Sequence, residues 1–253
     1  METSSRITGA TRLMGVIGSS LEYSSSPEIH NAVFEKLGWN YAYVPLDVSE
    51  DNLEVAVRGL EALGFLGYNV AAPHKKRILP YLHEVSRVAE IMGAVNTVVI
   101  QGGRSLGDNA DGAAFMRNLV LNGVNVLGKK ITVLGTGGAA SAVIVQAALD
   151  GVAQIDVFNR DDSYVKGGCA LIERLHECSD CEVALYDLAD KDKLRASLEE
   201  STLLLNATIV GSFDEPGCLV DKSMIVPGLI VADMVYTCLL YTSPSPRDYA
   251  ASR

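Results

Sequence analysis

The chain has 253 residues, 48% of them hydrophobic, which is enough to build one large domain or two modest ones with buried cores. Its 31 acidic and 21 basic side chains give a formal net charge of −10, which argues against a nucleic-acid-binding protein because such proteins usually present a basic face to phosphates. The sequence shows neither an apolar run long enough to cross a membrane nor a secretion signal near Met1. Its cysteine pattern is not typical of a disulfide framework. We therefore expect a soluble, cytoplasmic protein with no nucleic-acid or membrane partner.

Short apolar runs alternate with helical patterns in the first half of the chain. The predicted strands occupy residues 13–18, 41–48, 67–72, 94–100 and 105–108. Ser26 is predicted as the N-cap of the first helix, with Pro27 at the first helical position. Leucine and valine recur at helical spacing between Leu53 and Leu63. The glycine pair in 101–103 predicts a hairpin turn.

The alternation continues in the second half of the chain. A helix is predicted over 112–121, and an alanine-rich helix is predicted to end near residue 149. The predicted strands occupy residues 130–134, 155–158, 183–188, 203–207 and 229–231. Strands that alternate with helices over this length predict parallel α/β layers. Residues 243–253 have neither periodicity nor apolar content and are expected to form a flexible tail or a sequence scar.

A strand, a glycine-rich turn and a helix together predict a dinucleotide-binding site. Gly135 permits a tight turn, Gly137 lets a pyrophosphate approach the backbone, and Ala140 lets the helix pack closely on the sheet. The start of the helix, at Gly138 and Ala139, offers N–H groups and a partial positive charge to phosphates. The alternative is a helix packed on a strand with no ligand; the complete strand–helix–strand unit favours a Rossmann-type fold.

The choice of cofactor is expected to depend on the end of the second strand, at Asn159, Arg160, Asp161 and Asp162. An arginine there can pair with the 2′-phosphate of NADP. A carboxylate there can bind the 2′-hydroxyl of NAD. Because both residue types are present, these residues leave NADP and NAD open.

Four polar segments of the first half lie at or near the ends of predicted strands, where open α/β sheets place ligands. They are 24–27, 69–75, 93–97 and 109–112. Each taken singly is explained by a helix cap, a surface lysine or a turn. Together with a dinucleotide-binding loop, they indicate a catalytic site.

Together, these segments resemble the shikimate dehydrogenase family from about Ile7 to Leu240. The matching motifs are Ser24-x-Ser26-Pro27, Asn69-Val70-x-x-Pro73-His74-Lys75, Gly93-Ala94-Val95-Asn96-Thr97, Asn109-x-Asp111-Gly112, Gly135-x-Gly137-Gly138-Ala139-Ala140, Asn159-Arg160, Asn206-Ala207-Thr208-x-x-Gly211 and Asp233-x-x-Tyr236. The segments 159–162 and 187–190 are more similar to the quinate/shikimate dehydrogenase branch, whose members use either nicotinamide cofactor. The resemblance implies an N-terminal α/β substrate domain (1–111), a Rossmann-type NAD(P)-binding domain (112–236) and a tail (237–253).

The resemblance also implies an activity: reversible hydride transfer between NADP or NAD and 3-dehydroshikimate, or its quinate counterpart, in the shikimate pathway. Lys75 and Asp111 would be the acid/base pair. The residues that would bind the cyclic polyol acid are Ser24 and Ser26 at the ring carboxylate, Asn69, Asn96 and Asp111 at ring hydroxyls, and Tyr236. Those that would bind the cofactor are Gly135, Gly137, Gly138, Ala139, Asn159, Arg160, Asp161, Asp162 and Thr208. The resemblance implies a monomer or homodimer, and no metal is expected because the cofactor carries the hard chemistry.

The chemistry of ketone reduction also supports Lys75 and Asp111 as the acid/base pair. Reducing a ketone builds negative charge on its oxygen, so a proton donor and a positive charge near that oxygen lower the barrier. Lys75 can supply both, and Asp111 can orient its ammonium group. Two features depart from the family pattern: Ala71 and Ala110 stand where family members usually carry threonine, and the usual C-terminal glutamine-containing segment has no match. The sequence therefore also allows a truncated chain, with an alternative function as a catalytically impaired regulatory domain that binds a cofactor or metabolite.

Overall fold

The structure is a computed structural model that describes residues 7–235. It is a mixed α/β fold, and its packing divides the chain into two compact units, one ending at Ala110 and the other beginning at Asp111. No helix within 7–235 is both long and apolar enough to cross a membrane. Tyr236 and the predicted tail 237–253 lie outside the described residues.

The first unit is built on a six-stranded mixed sheet. Its strands are β1 (Arg12–Gly18), β2 (Tyr41–Asp47), β3 (Gly67–Val70), β4 (Glu84–Val85), β5 (Thr97–Gln101) and β6 (Arg104–Asp108). They lie in the order β2-β1-β3-β5-β6-β4, with β1, β2 and β3 parallel and β5 antiparallel to its neighbours. The carboxyl ends of the three parallel strands therefore share an edge with the start of β5 and the end of β6.

Among the described residues, four α-helices accompany this sheet: α1 (Ser26–Leu37), α2 (Leu53–Ala62), α3 (His74–Arg77) and α4 (Arg87–Met92). The predicted hairpin is confirmed, since Gly102 and Gly103 join β5 to β6 with φ of 58° and 75°, the mirror-image turn that suits the twist of a hairpin. The predicted N-cap at Ser26 is wrong. The helix already begins at Ser26, with Ser25 at the cap position, because the backbone turns into the helix one residue earlier.

The core of the first unit lies where α2 packs on the sheet. Leu53 and Val57 are almost fully buried, as their helical spacing predicts. Leu63, which continues that spacing, is 74% exposed. The helix ends at Ala62 and the chain reverses at Gly64, whose φ is 73°, so Leu63 leaves the buried face.

The second unit is a five-stranded parallel sheet with helices between its strands, as predicted. The strands are β7 (Lys130–Leu134), β8 (Gln154–Asn159), β9 (Glu182–Asp187), β10 (Leu203–Asn206) and β11 (Ile230–Asp233), and the helices are α5 (Asp111–Leu121), α6 (Gly138–Asp150), α7 (Val165–His176) and α8 (Lys191–Glu200). The strand order is β11-β10-β7-β8-β9. The order reverses direction at β7, and in Rossmann-type sheets such a switch point opens the crevice that binds a dinucleotide.

Candidate active site

The turn after β7 has the backbone shape that a dinucleotide site requires. Gly135 has φ of 102°, and a Cβ there would lie 2.9 Å from Thr208 Cγ2 and 3.1 Å from the Ala207 carbonyl oxygen. Only glycine fits this position without strain. A Cβ on Gly137 or Gly138 would meet no atom within 4 Å, so the backbone at the start of α6 is open to a ligand.

A cavity of about 370 Å³ lies at this turn, at the carboxyl edge of the second sheet. Its lining includes Gly135, Thr136, Gly137, Gly138, Ala139, Asn159, Arg160, Asp162, Tyr164 and Thr208. The N-cap of α6, Gly137, has no capping side chain, which leaves N–H groups of the first helical turn for an anion. Within the described part of the chain, the buried Thr136 Oγ1 has no hydrogen-bond partner. These features fit the pyrophosphate of a nicotinamide dinucleotide.

The loop after β8 is fixed by its own side chains. Asn159 Nδ2 donates to the Arg160 carbonyl oxygen (2.7 Å) and to Asp162 Oδ1 (3.0 Å). The Tyr164 N–H donates to the same Asp162 oxygen at 2.9 Å. In this arrangement Arg160 and Asp162 line the cavity. Asp161 instead lines a neighbouring surface depression, which it shares with Arg160.

The loop after β10 forms the opposite wall of the cavity. The Thr208 hydroxyl donates to Asn206 Oδ1 (2.7 Å) and accepts from the Val210 N–H (3.1 Å). These bonds hold Thr208 against the glycine turn. Farther along this loop, Glu215 Oε1 lies 2.9 Å from Arg160 Nη1, so an ion pair joins the two loops. The sequence offered no sign of this pair, because its members are 55 positions apart.

In the first unit, Asn69 sits at the carboxyl end of β3 with its amide held on both sides. Its Oδ1 accepts from the Tyr43 hydroxyl at 2.6 Å, and its Nδ2 donates to Thr97 Oγ1 at 3.2 Å. Burial raises the pKa of Tyr43 to about 12, so its hydroxyl remains protonated and donates at neutral pH. This bond fixes which end of the Asn69 amide faces Tyr43.

Asn96 is buried beside Asn69, and Thr97 links the two. Asn96 Oδ1 accepts from the Thr97 hydroxyl (2.8 Å) and from the Ala110 N–H (3.0 Å). Sequence reasoning assigned no role to Tyr43 or Thr97. The position of Thr97 beside Asn96 could have indicated a role in the site. Tyr43 lies in an apolar strand, and nothing in the sequence around it indicates such a role.

Lys75 differs from the basic residues that follow it. It is half-buried on α3, and its carbonyl oxygen accepts from the Val95 N–H at 2.8 Å. Lys76 and Arg77 are exposed, and Arg77 pairs with Glu50 at 2.6 Å. The surroundings thus distinguish Lys75 from its neighbours.

The remaining predicted substrate residues lie in different parts of the chain. Ser24 and Ser26 follow β1, and the Ser26 N–H donates to Ser24 Oγ at 3.4 Å. Asp111 is the first residue of α5 and belongs to the second unit, directly after Ala110. Its pairing with Lys75 stays a prediction.

The fold and the glycine-turn cavity define a two-unit α/β protein with a Rossmann-type dinucleotide-binding sheet. Residues 16–98 match the family model described as the shikimate dehydrogenase substrate binding domain. A shikimate dehydrogenase (NADP⁺) from Listeria monocytogenes is 42% identical over 233 residues, which cover 91% of this chain and 80% of the relative. The chain belongs to the shikimate dehydrogenase family.

Two solved structures are similar over most of the chain. Shikimate 5-dehydrogenase from Listeria monocytogenes, in complex with shikimate and NAD, has a TM-score of 0.89 at 39% identity, covering 98% of this chain and 85% of that one. Quinate dehydrogenase from Corynebacterium glutamicum, in complex with NAD, has a TM-score of 0.78 at 29% identity, covering 92% and 84%. The similarity therefore extends to a quinate dehydrogenase as well as to a shikimate dehydrogenase.

Proposed function

We propose that this chain catalyses the reversible, NAD(P)-dependent reduction of 3-dehydroshikimate to shikimate, with quinate as a second substrate to be tested. The observation that carries the proposal is the similarity, through both units, to a dehydrogenase solved with shikimate and NAD. The linked amides of Asn69 and Asn96 and the half-buried Lys75 support it, since they provide polar groups at one edge of the first sheet.

In this proposal, residues 1–111 bind the cyclic polyol acid. Asn69, Asn96 and Asp111 contact its ring hydroxyls, and Ser24 and Ser26 hold its carboxylate. Tyr43 and Thr97 position the two asparagine amides through the hydrogen bonds described above. Fixed polar groups of this kind favour one orientation of the ring, because a misplaced hydroxyl would leave a buried amide unpaired.

Residues 112–236 bind the cofactor. A bound nicotinamide dinucleotide supplies the hydride in one direction and accepts it in the other. The N–H groups at the start of α6 and the Thr136 hydroxyl hold its pyrophosphate, and the loop beginning at Asn159 receives the adenosine ribose. Lys75 donates a proton to the substrate oxygen and stabilises the negative charge that develops there, while Asp111 orients the ammonium group.

We extend the proposal to a cytoplasmic location. Free thiols are typical of reducing compartments. Among the described residues, the free thiols include Cys169, Cys181 and Cys218. Fractionation of cells that produce the chain tests this point, since recovery outside the cytoplasmic fraction would contradict it.

The test of the activity is an assay at 340 nm of the purified full chain with shikimate and with quinate, each against NADP and NAD. We expect turnover with shikimate and at least one cofactor. Lys75→Ala should lower kcat by about 10²–10⁴-fold with a smaller change in KM, since Lys75 acts mainly in the transition state. Lys76→Ala removes an equal charge from the next residue and should retain wild-type kcat.

The outcomes separate the enzyme from a binding domain. Tight cofactor binding without turnover of any substrate would favour the regulatory alternative and overturn the proposed activity. Equal losses of kcat in Lys75→Ala and Lys76→Ala would remove Lys75 from the proposed proton transfer.

A further inference from the structure

The ion pair between Arg160 and Glu215 joins the two loops on either side of the dinucleotide cavity. Arg160 follows β8 and lines the cavity, and Glu215 lies in the loop that follows β10. The guanidinium Nη1 and the carboxylate Oε1 are 2.9 Å apart. The guanidinium that would pair with the 2′-phosphate of NADP therefore already has a carboxylate partner from the same chain.

Hydrogen bonds from backbone and side-chain groups hold the loop that presents this carboxylate. The Gly211 N–H donates to the Glu215 carbonyl oxygen at 2.8 Å, and the Glu215 N–H donates to Ser212 Oγ at 3.2 Å. Asn206 Nδ2 donates to the Val210 carbonyl oxygen at 3.0 Å, which ties the loop to the end of β10. Glu215 is thus presented to Arg160 by a loop with its own internal bonds.

The surroundings of Arg160 are acidic. Arg160, Lys191, Asp161 and Asp187 line one surface depression beside the cavity, and Glu215 adds a third carboxylate next to two cations. A 2′-phosphate brings about two more negative charges, whereas a 2′-hydroxyl brings none. The local charge therefore disfavours NADP relative to NAD unless Arg160 exchanges Glu215 for the phosphate.

We propose that Glu215 is a specificity-determining residue, which biases the chain towards NAD by occupying the guanidinium of Arg160. NAD binds with the ion pair intact. NADP binds only when the pair opens and the phosphate replaces the carboxylate. This inference rests on the proposed function, because it assigns the cavity to a nicotinamide dinucleotide.

The test is calorimetric titration of the full chain with NAD⁺ and with NADP⁺. Glu215→Gln should tighten NADP⁺ binding by about fivefold or more and leave NAD⁺ binding within about twofold, because the amide competes less well for the guanidinium. Asp214→Asn is the matched control, since it removes one charge from the adjacent position of the same loop and should leave the ratio of the two affinities unchanged. In an Arg160→Gln background, Glu215→Gln should no longer alter that ratio.

Each contrary result has a distinct meaning. An unchanged ratio in Glu215→Gln would overturn the inference and leave the proposed function standing. An equal gain in Asp214→Asn, or a gain that persists without Arg160, would show general charge repulsion and would also overturn it. Failure of the unmodified chain to bind either dinucleotide would refute the proposed function and this inference together.

Discussion

Replacing Tyr43 by phenylalanine removes one hydrogen bond of the proposed substrate site and little else. The Tyr43 ring stacks on His30, with centroids 4.3 Å apart and an interplanar angle of 13°, and phenylalanine can retain that contact. The hydroxyl, 2.6 Å from Asn69 Oδ1, is lost. Among the described residues, the Asn69 amide then keeps the bonds from Nδ2 to Thr97 Oγ1 (3.2 Å) and to the Asn96 carbonyl oxygen (3.4 Å).

The expected effect follows from the net value of one neutral hydrogen bond, about 0.5–1.5 kcal/mol. We expect kcat/KM for shikimate to fall by about twofold to about twelvefold, since the Asn69 amide is no longer held in one orientation. Steady-state rates at 340 nm measure this change, and calorimetric titration should give an unchanged affinity for the cofactor. Thermal unfolding of the same sample shows whether the fold is intact.

Tyr41→Phe is the matched control for this prediction. Tyr41 lies in the same strand, and its ring packs edge-on against Phe34 with centroids 5.4 Å apart. Its substitution should leave kcat/KM unchanged. Wild-type kcat/KM in Tyr43→Phe, or equal losses in the two variants, would refute the argument that Tyr43 orients Asn69.

Two further predictions concern the stability of the second unit. Burial alone would raise the pKa of Asp156, but hydrogen bonds from Lys130 (2.9 Å) and a neighbouring serine hold it below its usual value. Asp156→Asn should therefore lower the free energy of unfolding at pH 7 by about 3 kcal/mol. In urea titrations at several pH values, that loss should shrink below about pH 4. A carboxylate with a depressed pKa stabilises the fold at pH values above its unfolded-state pKa, and this stabilisation is lost once the carboxylate is protonated. A loss that does not depend on pH would contradict this. Gly112→Ala should lower stability by about 1–3 kcal/mol, since the new Cβ would lie 2.2 Å from the Ala142 carbonyl oxygen. As a control in the first unit, Gly59→Ala on the open side of α2 should instead raise the stability of that unit by about 0.5–1 kcal/mol, and equal effects in urea unfolding would refute the packing argument.

Local signals in the sequence were enough to predict most of the helices and strands. The alternation of β-branched runs with helical patterns predicted the parallel sheet around Lys130–Leu134, because each element has to bury one apolar face. The glycines at 102–103 predicted the hairpin, and Gly135 predicted the dinucleotide turn, since each conformation excludes other residue types. Patterns of this kind depend on neighbours within a few residues, so they can be interpreted without knowledge of the tertiary fold.

Contacts between distant residues were decided only by the tertiary structure. Tyr43 reaches Asn69 across 26 positions, and Arg160 reaches Glu215 across 55. Each contact depends on strand order and register, which set the residues that meet at a sheet edge. The sequence by itself determined the class of fold, the glycine turn and the polar motifs at strand ends. The tertiary structure decided which side chains hold those motifs in place, because side-chain hydrogen bonds form only after the sheet has brought their partners together.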